Sequence, residues 1–128
     1  GHTLGHIVYR SPADAQAFVG DVLFTLGCGR LFEGTPAQMW NSLQTLAAWP
    51  DETVIWCAHE YTAANARFAL SVDDRPDMVA RAAEIFAMRE RGEATVPTTI
   101  GAEKAFNPFL RAGDAEAFAV VRAAKDVF

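Results

Sequence analysis

The three histidines and one of the aspartates of this sequence are candidate metal-binding side chains: His2 and His6 in GHTLGH, Asp21 in FVGD, and His59 in WCAHE. Imidazole nitrogens and a carboxylate suit zinc, iron or manganese, and a carboxylate with two oxygens bridges two ions about 3.5–4 Å apart. A second interpretation stays open on spacing alone, because His59 before a helix is also typical of a capping region and Asp21 of a turn.

Three short runs rich in β-branched and aromatic residues predict the strands that must position these side chains. HIVYR (6–10) and AFVG (17–20) flank a segment in which Pro12 and Asp14 have turn chemistry, so we expect a hairpin. TVIWCA (53–58) is an apolar run too short and too unbroken for a surface helix, and it predicts a buried strand.

The candidate ligands lie where these strands pass into loops. His2 precedes the first strand, Asp21 ends the second and His59 ends the third. Because strand ends are where α/β proteins assemble their sites, we expect these three side chains at a common edge.

The rest of the sequence predicts helices. Thr35, Pro36 and Gln38 have the pattern of an N-cap, a first-turn proline and a capping box. The apolar residues that follow at helical spacing predict one inward face, formed by Met39, Leu43, Leu46 and Ala47.

After His59 the pattern is mostly helical. Residues 76–93 show an apolar stripe at Val79, Ala83, Phe86 and Ala87. A last helix begins after Asp114 as its cap, with Phe118, Val121 and Ala124 on one side. The segment 95–111 contains two prolines, and we expect it to wrap the surface.

Composition excludes several function classes. The 128 residues fit one small domain, and 51% hydrophobic content suffices for a core. The net charge of −5 argues against nucleic-acid binding, and no apolar run approaches the roughly 20 residues of a membrane span. Because GHTLGH has no signal-peptide features, we expect a cytoplasmic protein in which Cys28 and Cys57 are free thiols with packing roles.

Four longer stretches of the sequence are more specific to one protein family than the single candidate residues are. GHTLGHIVY, FVGDVLFTLGCGRLFEGTPAQMWNSL, WCAHEYTAANARFA and ATVPTTIGAEKAFNPFLR together resemble the second half of glyoxalase II, the hydroxyacylglutathione hydrolases of the metallo-β-lactamase fold. The resemblance implies an α/β chain: the second half of an αββα sandwich with a short mixed sheet, followed by a C-terminal helical region. Residues 1–60 are then the metallo-β-lactamase part and residues 61–128 a helical glutathione-binding region.

The resemblance also implies a role for each candidate residue. His2 matches a ligand of one metal, Asp21 the carboxylate that bridges both metals, and His59 a ligand of the second. His6 matches a non-ligand that supports the site from the head of a strand.

Four further positions match contacts to glutathione. Arg30 and Tyr61 match a cation and a hydroxyl that touch the tripeptide, and Arg122 and Lys125 match a pair that grips its glycine carboxylate. Three residues apart, Arg122 and Lys125 share a helix face, although cations near a helix C-terminus also simply complement its dipole. Phe32 stands where some family members have a tyrosine, so that hydroxyl contact is absent.

The implied reaction is hydrolysis of the thioester S-D-lactoylglutathione to D-lactate and glutathione by a metal-bound hydroxide, with neither cysteine as nucleophile. The family uses two divalent metals (zinc, iron or manganese), and the HxHxDH motif that supplies the remaining ligands is not in this sequence. Three ligands leave each ion two protein contacts, so we expect this chain alone to bind metal weakly or not at all and to be inactive.

Lacking the first half, the chain should expose the sheet face that the other half covers. We expect self-association, a companion chain carrying the first half, or a truncated part of a longer protein, the last favoured by the start at Gly1 within a motif. Two alternatives stay open: a non-catalytic interaction module, and a metallo-β-lactamase-fold hydrolase or persulfide dioxygenase relative with another substrate.

Overall fold

The computed structural model describes residues 1–128 and contains six strands and five helices. In chain order they are β1 (Tyr9–Ser11), β2 (Gln16–Gly20), β3 (Leu23–Phe24), β4 (Gly27–Cys28), α1 (Pro36–Ala47), β5 (Val54–Cys57), α2 (Thr62–Val72), α3 (Pro76–Glu90), β6 (Thr98–Thr99), α4 (Ile100–Phe106) and α5 (Ala115–Asp126). None of the helices is both long enough and apolar enough to span a membrane.

The main sheet is mixed and has the strand order β1-β2-β5-β6. β1 and β2 form the predicted antiparallel hairpin, although its first strand begins at Tyr9 rather than His6. β2 and β5 run parallel, whereas β6 closes the sheet antiparallel to β5. β3 and β4 form a separate two-stranded hairpin between β2 and α1.

Helices cover one face of the sheet and build the main core on it. Ala17, Val19 and Ile55 alternate toward this face, as the two-residue period of a strand requires. The helical side of the same cluster includes Met39, Leu43, Phe68, Phe109 and Phe118.

The helix predicted from its capping pattern is confirmed. The Thr35 hydroxyl accepts from the Gln38 backbone N–H, and the Gln38 side chain accepts from the Thr35 N–H. Met39, Leu43 and Leu46 are buried as expected, and Ala47 is partly buried.

The opposite face of the sheet carries a row of exposed aromatic side chains, which we name the aromatic row: Tyr9, Phe18 and Trp56. Tyr9 pairs with Phe18 across β1 and β2, and Phe18 pairs with Trp56 across β2 and β5. These residues are 67%, 53% and 39% exposed, and the Phe18 and Trp56 rings stack with centroids 6.4 Å apart. β5 is therefore buried on one face only, in contrast to the expectation from its unbroken apolar run.

The segment 95–111 does not wrap the surface, so that prediction is wrong. It contributes β6 to the sheet and then forms α4, with Ile100 and Phe109 fully buried in the main core. Pro97 is exposed just before β6, whereas Pro108 is buried beside Phe109 and Leu110.

Two helical registers also differ from expectation. In α3 the buried residues are Met78, Ala82 and Ile85, one position before the predicted stripe, because these side chains face a second core cluster with α2. In α5 Phe118 is buried as predicted, but Arg122 joins it and Ala124 is exposed.

The predicted division at residues 60 and 61 falls in the loop between β5 and α2. Across it, β6 from the second part completes the sheet of the first part, and one core cluster includes residues of both. The two parts therefore pack as one body in this chain.

Candidate functional site

A carboxylate lies between two imidazoles at one edge of the sheet. Because β2 and β5 are parallel, their carboxyl ends meet, which places Asp21 directly after one strand and His59 just beyond the other. Asp21 Oδ1 is 3.1 Å from His59 Nε2, and Asp21 Oδ2 is 3.9 Å from His2 Nε2.

The His2 ring is held by the backbone of a later loop. Its Nδ1–H donates to the carbonyl of Arg30 at 2.8 Å, since a carbonyl only accepts. This bond fixes the tautomer and leaves Nε2, the atom nearer Asp21, with its lone pair available for a metal. Phe32 packs against the same ring with centroids 5.1 Å apart.

His6 supports Asp21 from behind. Its Nε2 accepts from the Asp21 backbone N–H at 3.1 Å, which agrees with the interpretation of His6 as a supporting residue. Gly20, in the left-handed region at φ +53°, leaves room for this ring, since a Cβ there would lie 2.6 Å from His6 Nε2.

Gly29 allows the backbone after β4 to approach the candidate ligands. A Cβ at this position would collide with the carbonyl oxygen of Asp21 and lie 2.9 Å from His2 Nδ1. The glycine before Arg30 thus makes room for the candidate ligand His2 and for the backbone of Asp21.

Tyr61 and Phe24 enclose His59. The Tyr61 ring stacks on the His59 ring with centroids 4.7 Å apart and an interplanar angle of 17°. Phe24 meets the rings of His59 and Tyr61 at 6.0 and 5.3 Å. Glu60, between the two stacked residues, accepts from the backbone N–H of Thr95 at 2.7 Å and so ties this turn to the rest of the chain.

Three cations lie at the other end of the same region. Arg30 is mostly exposed, whereas Arg122 is buried, with Nη1 donating to the Cys28 carbonyl at 2.8 Å and Nη2 to Asp126 at 2.9 Å. Its buried Nε has no acceptor. Arg122 therefore has a structural task beside the predicted substrate contact: it joins α5 to β4.

Lys125 lies over aromatic rings close to both arginines. Its Nζ is 5.4 Å from the ring centroids of Phe68 and Phe128. Desolvation by burial, followed by the charges of Arg122 and Arg30, lowers the pKa of this amine. Asp126, 2.9 Å from Arg122 Nη2 and 4.0 Å from Arg30 Nε, offsets part of this positive charge, and an anionic ligand would relieve the rest of the repulsion.

Both cysteines are free. Burial raises the pKa of the Cys28 thiol to about 11, against the opposing effect of Arg122, which agrees with a packing role. Cys57 is partly buried, and its Sγ donates to the carbonyl of His59 at 3.3 Å.

One cleft of about 490 Å³ joins these groups. It is lined by all seven residues singled out from the sequence, namely His2, Asp21, Arg30, His59, Tyr61, Arg122 and Lys125. Sequence reasoning missed Phe24 and Asn65, which also line it; only their proximity to the FVGD and HEY stretches pointed to them.

The donor set suits divalent metals in type but is incomplete in number. Two imidazole nitrogens and two oxygens of one carboxylate match zinc, iron or manganese. Nowhere in the chain do three or more His, Cys, Asp or Glu side chains surround one position where an ion could be held. Asp21 with His2 and Asp21 with His59 each form half of a coordination shell.

Comparisons with known proteins agree on one family. The family model described as "Hydroxyacylglutathione hydrolase C-terminus" matches residues 60–128. The hydroxyacylglutathione hydrolase of Maricaulis maris is 59% identical over all of this chain and 56% of its own length, and that of Erythrobacter litoralis is 55% identical with the same coverage. The chain thus spans about half the length of the curated relatives it matches.

The fold has a solved counterpart. The crystal structure of ETHE1 from Myxococcus xanthus superimposes with a TM-score of 0.64 and 25% sequence identity, over 96% of this chain and 41% of that one. ETHE1 has the metallo-β-lactamase fold, which confirms the expected α/β class. With this fold, and with more than half of its residues matched by the family model, the chain belongs to the hydroxyacylglutathione hydrolase family.

Proposed function

We propose that this chain is the part of a hydroxyacylglutathione hydrolase that supplies one side of a two-metal centre and the glutathione contacts. The observation that carries the proposal is the position of Asp21, with one oxygen toward each of two histidines in a cleft that also holds three cations. Relatives that are more than 50% identical to this chain are named hydroxyacylglutathione hydrolases. Their names favour hydrolysis of a glutathione thioester over the reaction of another enzyme with the metallo-β-lactamase fold.

In this proposal His2, Asp21 and His59 hold two divalent ions together with ligands from outside the chain. Such ions, when bound, act as Lewis acids on the thioester carbonyl and lower the pKa of water. Other residues of this chain would hold the proposed ligands in place. The Arg30 carbonyl fixes the His2 tautomer, and the His6 ring accepts a hydrogen bond from the Asp21 backbone.

The same cleft would bind the glutathione moiety. Lys125 and Arg30 are the cations with N–H groups free for a carboxylate, and Arg122 adds its charge from beneath. Tyr61 is half exposed and offers its hydroxyl beside His59. Residues 61–128 would then supply most substrate contacts and residues 1–60 the metal ligands, with Arg30 as the exception.

The aromatic row supports the proposal of a missing partner segment. An in-register apolar surface across three strands is rarely left in water, and the relatives have further chain that this sequence lacks. We propose that a companion segment with the remaining metal ligands packs on this row, and that the isolated chain is inactive. The free thiols support a reducing, cytoplasmic location.

The test is complementation. The segment of the Maricaulis maris relative that this chain does not match is supplied as a separate polypeptide with zinc, and hydrolysis of S-D-lactoylglutathione is followed. We expect activity in the mixture and none in either piece. An Asp21→Asn chain serves as the inactive control. A mixture that forms a complex but releases no glutathione would overturn the proposal.

A further inference from the structure

The residues that follow Asp21 form a hairpin that meets nearly every candidate side chain. We name residues 23–30 the site hairpin; they comprise β3, β4 and the first residues beyond. Its contacts are the Phe24 ring with His59 and Tyr61, the Cys28 carbonyl with Arg122, and the Arg30 carbonyl with His2. A displacement of this hairpin would therefore move metal ligands and cations together.

The turn of the site hairpin is fixed from below by buried side chains distant in sequence. Glu103 accepts from the Leu26 N–H at 2.8 Å, and the Asn107 amide donates to the carbonyls of Phe24 at 3.3 Å and Gly27 at 3.0 Å. Leu26 lies in the left-handed region at φ 59°, a conformation that leucine seldom adopts without such support.

Glu103 is the centre of this network. Its Oε2 also accepts from the Asn107 amide at 2.8 Å, and its Oε1 accepts from the Thr98 hydroxyl at 2.7 Å. All of its partners donate, so the carboxyl acts only as an acceptor, and both Glu103 and Asn107 are at most 1% exposed. No arginine, lysine or histidine forms an ion pair with it. Burial raises the pKa of this carboxyl, against the lowering effect of its hydrogen bonds.

The cation that acts on Glu103 is Arg81, whose charge lowers the pKa of the carboxyl but which pairs with Glu84. A buried carboxylate without a direct ion pair is costly, and an apolar side chain in the same space would avoid that cost. The position of Glu103 beneath the left-handed Leu26, with three donors converging on it, indicates a task that packing alone does not perform. We propose that Glu103 and Asn107 are positioning residues for the cleft: they hold the site hairpin in the one conformation that brings His2, Arg30 and Phe24 to their places. This inference rests on the proposed function only for the identity of the ligand.

The test compares Glu103→Ala with Glu103→Gln in the 128-residue chain. Glutamine keeps one acceptor oxygen for Leu26 and Asn107 and turns its amide toward the Thr98 hydroxyl, so we expect near-normal behaviour. Alanine leaves these donors unpaired. We expect it to shift the nuclear magnetic resonance signals of the Arg30 amide and the His2 and His59 rings, and to weaken binding of glutathione about tenfold.

Leu46→Val is the matched control, because Leu46 on α1 is also buried, at 3% exposure, and belongs to the main core cluster, whose members do not include Leu26, Glu103 or Asn107. It should lower stability without shifting the cleft signals. If Glu103→Ala does not fold, Thr98→Val removes a single donor and should shift the Leu26 and Arg30 amides in the same direction.

Unshifted cleft signals in a folded Glu103→Ala or Thr98→Val chain would overturn the inference, as would equal shifts in Leu46→Val. If glutathione does not bind the wild-type chain at millimolar concentration, the proposed glutathione contacts fail. The ligand-free signals still decide the positioning role.

Discussion

The carboxylate of Asp21 is shared between two histidines: Oδ1 lies 3.1 Å from His59 Nε2 and Oδ2 3.9 Å from His2 Nε2. Each imidazole is anchored by different parts of the chain, so the carboxylate is the single point at which they meet. Loss of Asp21 should therefore weaken the binding of an ion at this position more than loss of either histidine.

Asp21→Asn should therefore reduce zinc affinity on the order of tenfold or more, because a neutral amide supplies only one oxygen and no charge. Competition with a coloured chelator measures the affinity in the isolated chain, where wild-type binding is already expected to be weak. Asp14→Asn, on the β1–β2 turn with Ser11 as its partner, is the charge-matched control. Equal zinc affinity in both variants would contradict the assignment.

Lys125→Met should weaken glutathione binding about tenfold, the loss expected for one charge-assisted hydrogen bond. Methionine keeps most of the length of a side chain whose Nζ lies 5.4 Å from the Phe68 ring centroid, so the fold should be retained. Isothermal titration with glutathione measures the change. Lys104→Met removes an equal charge outside the cleft, where the lysine pairs with Asp51. The prediction is wrong if the two variants bind alike.

Trp56→Ser should weaken association with the companion segment by about 2 kcal/mol, as for a central aromatic residue of an interface. Trp56 also stacks on Phe18 and donates to the Gln16 side chain, so the variant's own thermal unfolding is measured separately and association is compared where both chains are folded. Val120→Ser alters another exposed apolar residue, on α5, and should leave association unchanged. Analytical ultracentrifugation of the mixed polypeptides separates these outcomes.

The ion pairs of Asp73 should make the free energy of unfolding depend on pH. Its side chain, 12% exposed, joins Arg75 and Arg111, and the Arg75 hydrogen bond above all lowers its pKa from 3.8 to about 2. Because the folded pKa is depressed, this stabilisation is fully present above about pH 4 and is lost as pH falls through about 2.

Urea unfolding at stepwise lower pH measures this dependence. Asp73→Asn should lower the free energy of unfolding at neutral pH and flatten the decline between pH 4 and 2. Asp74→Asn, at an adjacent position without an ion pair, should keep the wild-type decline. A wild-type slope in Asp73→Asn would show that other carboxyls carry the effect.

Local chemistry was sufficient to predict several elements. The capping box at Thr35 is complete within four residues, so the sequence contains all of its partners. The convergence of Asp21 and His59 also followed from strand ends, because parallel pairing brings them to one edge whatever the rest of the fold does.

The failures share a physical cause. The burial of 95–111 and the acceptor role of Glu103 depend on partners that are far away in the sequence, such as Leu26. The spacing of apolar residues within one segment carries no information about such partners. In α3 the rotation of the helix is set by the shape of α2, which favours Met78 and Ile85 over the equally apolar Val79 and Phe86. Polar residues of the interior were the hardest to predict, since polarity itself suggests a surface position.

The edge position of β6 has a consequence for synthesis of the protein. Residues Thr98 and Thr99 are the last to join the sheet, beside the strand that leads to His59. A nascent chain therefore emerges from the ribosome with His2, Asp21 and His59 already made, but with one edge of β5 unpaired and the supports at Glu103 and Asn107 still absent. The candidate metal ligands are thus synthesised first, and the side chains that we propose to hold the site hairpin follow only in the last third of the chain.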